Sequence, residues 1–116
     1  MRTRYAVTLL AASVVLVGAL DAPAHDAIPT AAQPEGWTYP LVCCSGYDCR
    51  AVGAGTSSQV NIRETAEGYV ISTTGETIAM TDRKIKPSPD GLFHWCSDGG
   101  RDDGKTICLF VPPRAF

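Results

Sequence analysis

The stretch LVCCSGYDCR places Cys43, Cys44 and Cys49 within seven residues, and the remaining two cysteines, Cys96 and Cys108, lie far downstream. Three sulfurs this close are half of a metal site, a redox centre or part of a disulfide staple. Structural zinc sites usually present Cys-x₂₋₄-Cys knuckles. Here the first cluster reads Cys-Cys-x₄-Cys, and eleven residues separate Cys96 from Cys108. A thioredoxin-type pair needs Cys-x-x-Cys at a helix start, which neither cluster supplies. In a short exported chain, cysteines are disulfide partners by default. Five cysteines form two bridges and one free thiol, in fifteen possible ways. A bond between the neighbours Cys43 and Cys44 would close a strained eight-membered ring. The expected plan ties the first cluster to Cys96 and Cys108, closing loops of about fifty residues worth on the order of 4 kcal/mol each in chain entropy. Cys43 or Cys44 is left over, either buried or paired with a second chain as a disulfide-linked dimer.

The N-terminus supports export. Arg2 and Arg4 precede an uncharged, mostly apolar run from Ala6 to Leu20, and APA then sets Ala22 and Ala24 at the −3 and −1 positions of a signal peptidase site. This is the three-part pattern of a secretory signal peptide. A cut after Ala19 is the alternative. As a helix the run spans about 22 Å, short of the roughly 30 Å hydrocarbon core, so no membrane span is expected after cleavage. The expected organisation is a signal peptide over 1–24, a flexible segment over 25–36 (Ala, Pro and polar residues without periodicity), and one domain over 37–116. The mature chain would hold 92 residues; without Arg2, Arg4 and Asp21 it carries eight basic and eleven acidic side chains, net −3. That balance argues against nucleic acid, which needs a basic stripe. A core of this size often needs covalent support.

The rest of the mature chain carries β signals. DCRAV, QVNIRE, YVIST, ETIAM, LFHWC and TICLFV are short runs rich in β-branched and aromatic residues, separated by turn residues. They predict strands near 48–53, 59–64, 68–73, 76–81, 92–97 and 105–111. PSPDG is a turn. SDGGRDDGK is the tip of an antiparallel hairpin with its midpoint near Asp102, a register that sets Cys96 opposite Cys108. No apolar period of 3.6 residues occurs outside the N-terminal run. The fold class expected is all-β: a small disulfide-stapled antiparallel meander or partly open barrel, preceded by a signal-peptide helix.

The segments GWTYPLVCCSGYDCRAV, GYVI, SPDGLFHWC and ICLFVPP together resemble a group of small exported alphaproteobacterial proteins of unknown function. The likeness covers roughly residues 36–116. It implies Gram-negative export and no catalytic activity.

The candidate chemistry is sparse. On a strand, His94 and Cys96 share one face while Phe93 and Trp95 share the other. A Cys–His nucleophile pair needs a free thiolate, and Cys96 is expected to be oxidised, so His94 reads as a partly buried histidine bonded to a loop. Asp98, Asp102 and Asp103 lack the alternation and closing Glu of a calcium loop, and Arg101 and Lys105 oppose a cation. Asp90 is expected to fix its turn through a backbone bond. Asp48 and Arg50 receive no role. Trp37, Tyr39, Tyr47 and Trp95 are read as core rather than as an exposed aromatic patch.

Two functions compete. The first is a non-enzymatic periplasmic or secreted binding or structural module whose partner is an unidentified protein or cell-envelope component. The second is copper binding. Cleavage after Ala24 would make His25 the N-terminal residue, offering its α-amino nitrogen and its ring Nδ1 together. His94, the only other histidine, would complete a planar three-nitrogen set suited to Cu(II). Exported copper proteins use such a histidine brace.

Overall fold

The computed structural model describes residues 25–113. The predicted signal-peptide helix lies outside them. Among the described residues there are nine short strands: β1 Asp26–Ala27, β2 Trp37–Thr38, β3 Cys49–Val52, β4 Ile62–Thr65, β5 Gly68–Ile71, β6 Thr77–Ile78, β7 Ile85–Pro87, β8 Phe93–Ser97 and β9 Thr106–Val111. They form a two-stranded sheet β1-β2, a central sheet in the order β3-β8-β9-β7, and a three-stranded sheet β4-β5-β6. The fold is all-β, and its sheets do not close into a barrel.

Side-chain alternation along the central sheet organises the core. Cys49, Cys96, Cys108 and Phe110 join a cluster with Ala27, Tyr39, Cys43 and Cys44. Val52, Trp95 and Leu109 join the opposite cluster with Val60, Tyr69, Ile71 and Ile78. The central sheet is thus covered by the N-terminal segment on one face and by β4-β5-β6 on the other. The same alternation puts His94 beside the N-terminal layer, as the strand reading predicts.

The β8–β9 register pairs Cys96 with Cys108, as expected, and then slips at Ser97, which faces Thr106. Ile107 is the extra residue of this bulge. The slip lets Thr106 lie on the Trp95 face, where its hydroxyl accepts the indole N–H at 2.7 Å. Ile107 is therefore only partly buried against the cysteine cluster, whereas Leu109 is fully buried. Strand alternation alone does not separate the two, since both lie in the apolar run TICLFV. Leu109→Asp puts an unpaired charge in the core and should prevent folding. Ile107→Asp should cost less. Asp102→Ala removes only a half-exposed ion pair with Arg50 and should cost less than about 1 kcal/mol. Thermal melts of the three variants give this ranking; equal midpoints for Leu109→Asp and Asp102→Ala would contradict it.

Several expectations need correction. The sheet is not purely antiparallel, because β7 runs parallel to β9, pairing Ile85 with Leu109 and Pro87 with Val111. The apolar signal of IKP was too short to register as a strand. It is an edge strand, the position that tolerates a proline lacking its amide donor. The segment 25–36 is not a loose lead-in. Asp26 pairs with Thr38 and Ala27 with Trp37, Ala27 is buried, and Thr30 and Gln33 exchange backbone bonds across the turn. Gly36 sits at φ +72°, and a Cβ there would meet the Ala27 carbonyl at 2.7 Å. Close backbone packing extends to the hairpin tip. A Cβ on Gly100 would lie 2.5 Å from the Tyr47 carbonyl, and one on Gly104 2.8 Å from that of Asp98.

Both disulfides join the first cysteine cluster to the last two strands: Cys43 to Cys108, and Cys49 to Cys96. Cys49 and Cys96 are direct partners across β3 and β8. Cys44 keeps its thiol and is buried, so a bond to a second chain would require this loop to open.

Candidate functional site

The N-terminal layer is fastened to the central sheet by a buried polar chain. The Tyr39 hydroxyl lies 2.7 Å from His94 Nδ1, and His94 Nε2 lies 2.8 Å from both Asp90 carboxylate oxygens. A carboxylate only accepts, so Nε2 carries the proton. Nδ1 and the phenol oxygen share the other bond of the ring. Asp90 also accepts from Trp37 Nε1–H, the Ser88 hydroxyl and the Leu92 amide, each at 3.0 Å. Burial by itself would push this carboxyl up. The bonds from Trp37, His94 and Leu92, together with the charge interaction with His94, outweigh it and hold Asp90 below the ordinary carboxylate value. Burial pushes the Tyr39 phenol well above its ordinary value, with Asp90 and Cys44 adding to the shift and Arg50 opposing it. Trp37 meets Tyr39, His94 and Phe110 edge-on, with ring centroids 4.7, 5.0 and 5.1 Å away.

Hydroxyl, imidazole and carboxylate follow the order of a hydrolase relay, but the chemistry does not follow. The phenol is buried and held protonated, and Cys96, which shares a strand face with His94, is in a disulfide. What the chain does is bind three segments of sequence together: Trp37 and Tyr39, the 88–92 turn, and β8. Sequence reasoning gave Asp90 a turn-fixing role, which its bond from Leu92 fulfils. It missed the larger one. The signal for it is the i, i+4 spacing of Asp90 and His94 across a Pro-Asp-Gly turn.

Tyr39 also lines an open cleft of about 420 Å³ with His25, Ile28, Arg50, Thr56 and Leu92. Arg50 lies over the Trp95 ring at 4.6 Å and donates to Ser97 Oγ and Asp102 Oδ1. Asp48 accepts from the Ser45 amide and hydroxyl. Asp102 and Asp103 face Arg50 and Arg101, so these two hairpin acids are paired with the chain's own cations. Tyr39 and Trp95 are core, as expected, Trp37 is partly buried, and Tyr47 is fully on the surface.

The proposed brace pair is not brought together as such. His25 and His94 each contact the Tyr39 ring, but both nitrogens of His94 are engaged within the buried chain. The neighbours of the His25 ring are instead Cys44, Gly46 and Tyr47. Among the described residues no group of three His, Cys, Asp or Glu side chains is placed to hold a metal ion.

Fold and site together define a small, doubly disulfide-bonded all-β domain with a polar clamp under its N-terminal layer. Its two disulfides fit an extracytoplasmic protein. The chain matches no family model, no curated protein and no solved structure.

Proposed function

We propose that this chain is a non-enzymatic exported module that binds a protein or other component of the cell envelope through its N-terminal layer. The observation that carries the reading is where apolar surface is exposed. Of the five large apolar side chains exposed among the described residues, Ile28, Leu41, Val42 and Tyr47 belong to this layer, and only Met80 lies elsewhere. Leu41 and Val42 are adjacent on a turn closed by bonds from the Cys43 and Cys44 amides to the Pro40 carbonyl. The Cys43–Cys108 bond fixes that turn to β9. Aliphatic side chains presented on a fixed turn leave less backbone to order on binding, which favours recognition. The leader-like N-terminus, the disulfides and the resemblance to small exported proteins support export.

Immobilised domain should enrich a specific envelope component, and a Leu41→Ser/Val42→Ser/Tyr47→Ser variant should lose it. These exposed substitutions should each leave stability within about 0.5 kcal/mol. Identical recovery by both proteins, or none by either, would sink the binding reading. Intact mass of protein recovered from the periplasm should show a chain beginning at His25 and four hydrogens lighter than its reduced form.

A further inference from the structure

We propose that His25 and Cys44 form a binding site for a thiophilic d¹⁰ cation, Cu(I) or Zn(II). The Gly46 carbonyl stands at the same point, and in a chain beginning at His25 the α-amino nitrogen becomes a further ligand. This takes up the N-terminal chelate expected from the sequence but replaces His94 with a thiol.

Three donor atoms converge on one carbonyl oxygen. Cys44 Sγ lies 3.1 Å from the Gly46 oxygen. The His25 main-chain nitrogen lies 3.4 Å from it, and His25 Nδ1 is hydrogen-bonded to it as well. Sγ and Nδ1 are 3.3 Å apart. A metal about 2.3 Å from sulfur and about 2.0 Å from nitrogen, with tetrahedral angles, sets those ligands about 3.5 Å apart. The pair is therefore already spaced as two ligands of one ion. Without metal, the carbonyl accepts the thiol proton and bonds to the ring nitrogen. On binding, the sulfur–hydrogen bond gives way to a sulfur–metal bond and that proton passes to solvent; the proton that Nδ1 donates to the Gly46 carbonyl is exchanged through solvent onto Nε2, which frees the Nδ1 lone pair for the metal and leaves the ring neutral. Neither the metal nor the sulfur changes oxidation state.

The fold explains why this thiol is available. Cys43, Cys49, Cys96 and Cys108 are all oxidised within the chain, which leaves Cys44 no partner. Its neighbour Cys43 is bonded to β9, so the backbone carrying Cys44 is fixed. Gly46, at φ +137°, supplies a turn open to glycine that brings its carbonyl back over Cys44. The β1–β2 pairing holds the other side of the site, since His25 directly precedes Asp26. Thiolate with imidazole and amine nitrogen suits Cu(I) and Zn(II).

The amine ligand rests on the export reading, while the thiol and the imidazole do not. The test therefore uses protein prepared to begin at His25, with both disulfides intact and Cys44 reduced. Zn(II) is titrated against a chromogenic chelator, and Cu(I) is titrated anaerobically against bicinchoninate. One equivalent of either ion should bind, and the ion that binds identifies the natural cation. Cys44→Ser and His25→Ala should each weaken binding by at least about 100-fold, the upper range even for groups that only support a ligand. One glycine added before His25 should weaken it less, and His94→Gln should leave it unchanged. The Co(II) form should show a thiolate charge-transfer band that Cys44→Ser abolishes. His25→Ala and the added glycine leave the buried core intact, so the result does not hinge on how Cys44→Ser folds. Failure of both ions to bind stoichiometrically, or binding unchanged by His25→Ala, would overturn the site. Intact mass of cellular protein separately decides whether the chain begins at His25.

Discussion

Replacing Cys49 and Cys96 together by alanine is expected to lower the unfolding free energy by about 2–5 kcal/mol. The bond joins direct neighbours on β3 and β8 and closes a sequence separation of 47 residues. Removing it frees the unfolded chain, and it also deletes two buried sulfurs from the cluster beneath the N-terminal layer. Native domains are stable by only about 5–15 kcal/mol, so a small domain can lose most of its margin. Urea denaturation of the oxidised parent and the variant measures this. The Cys43–Cys108 bond spans 65 residues and should have an effect of similar size. It also holds the Leu41–Val42 turn, so its loss should abolish partner binding at denaturant concentrations where the sheet survives. A parent and a Cys49→Ala/Cys96→Ala variant with the same urea midpoint would show that the bond does not contribute.

Asp90→Ala should cost about 3–5 kcal/mol, the scale for removing one partner of a buried ion pair. Four donors, from Trp37, Ser88, Leu92 and His94, lose their acceptor at once. Tyr39→Phe removes one bond from the same chain and should cost about 1–3 kcal/mol. Losses in the double variant should fall short of the sum, because the two residues act through His94. A pH dependence follows from the same carboxylate. Its native pKa is lowered from the ordinary 3.8, so the native state resists protonation more than the unfolded chain does. Its contribution is complete above the unfolded value and is lost as the pH falls through the lower native one. Asp90→Asn should flatten stability over that acid range. An Asp90→Asn variant that tracked the parent's acid limb would place the titration elsewhere.

Much of this architecture was readable because it depends on short-range rules. Period-two alternation in FHWC and ICLFV separated His94 and Cys96 from Phe93 and Trp95, and those two faces became the two cores. A Gly- and Asp-rich stretch between apolar runs set the hairpin register that pairs Cys96 with Cys108. Other features lacked a local signal. β1 and β7 are two and three residues long. Strands that short form only because a neighbour supplies backbone partners and cover, and composition cannot register them. The bulge at Ile107 is of the same kind, since it depends on a hydroxyl on β9 meeting the Trp95 indole across the sheet.

The sequence by itself determined that the domain is β-structured and that its cysteines exceed an even number by one, and it made bridges from the early cluster to the late strands the expected plan among fifteen. Those conclusions rest on side-chain type and spacing, which act before any tertiary contact exists. Only the tertiary structure decided which cysteine meets which, why Cys44 stays reduced, and why His94 turns to Asp90 and Tyr39 while His25 turns to Cys44. A disulfide needs its two α-carbons within a few ångströms, and a buried imidazole takes whichever partners the packing places against its two nitrogens. Both are distances between segments dozens of residues apart, and these are set when the N-terminal layer closes over the central sheet.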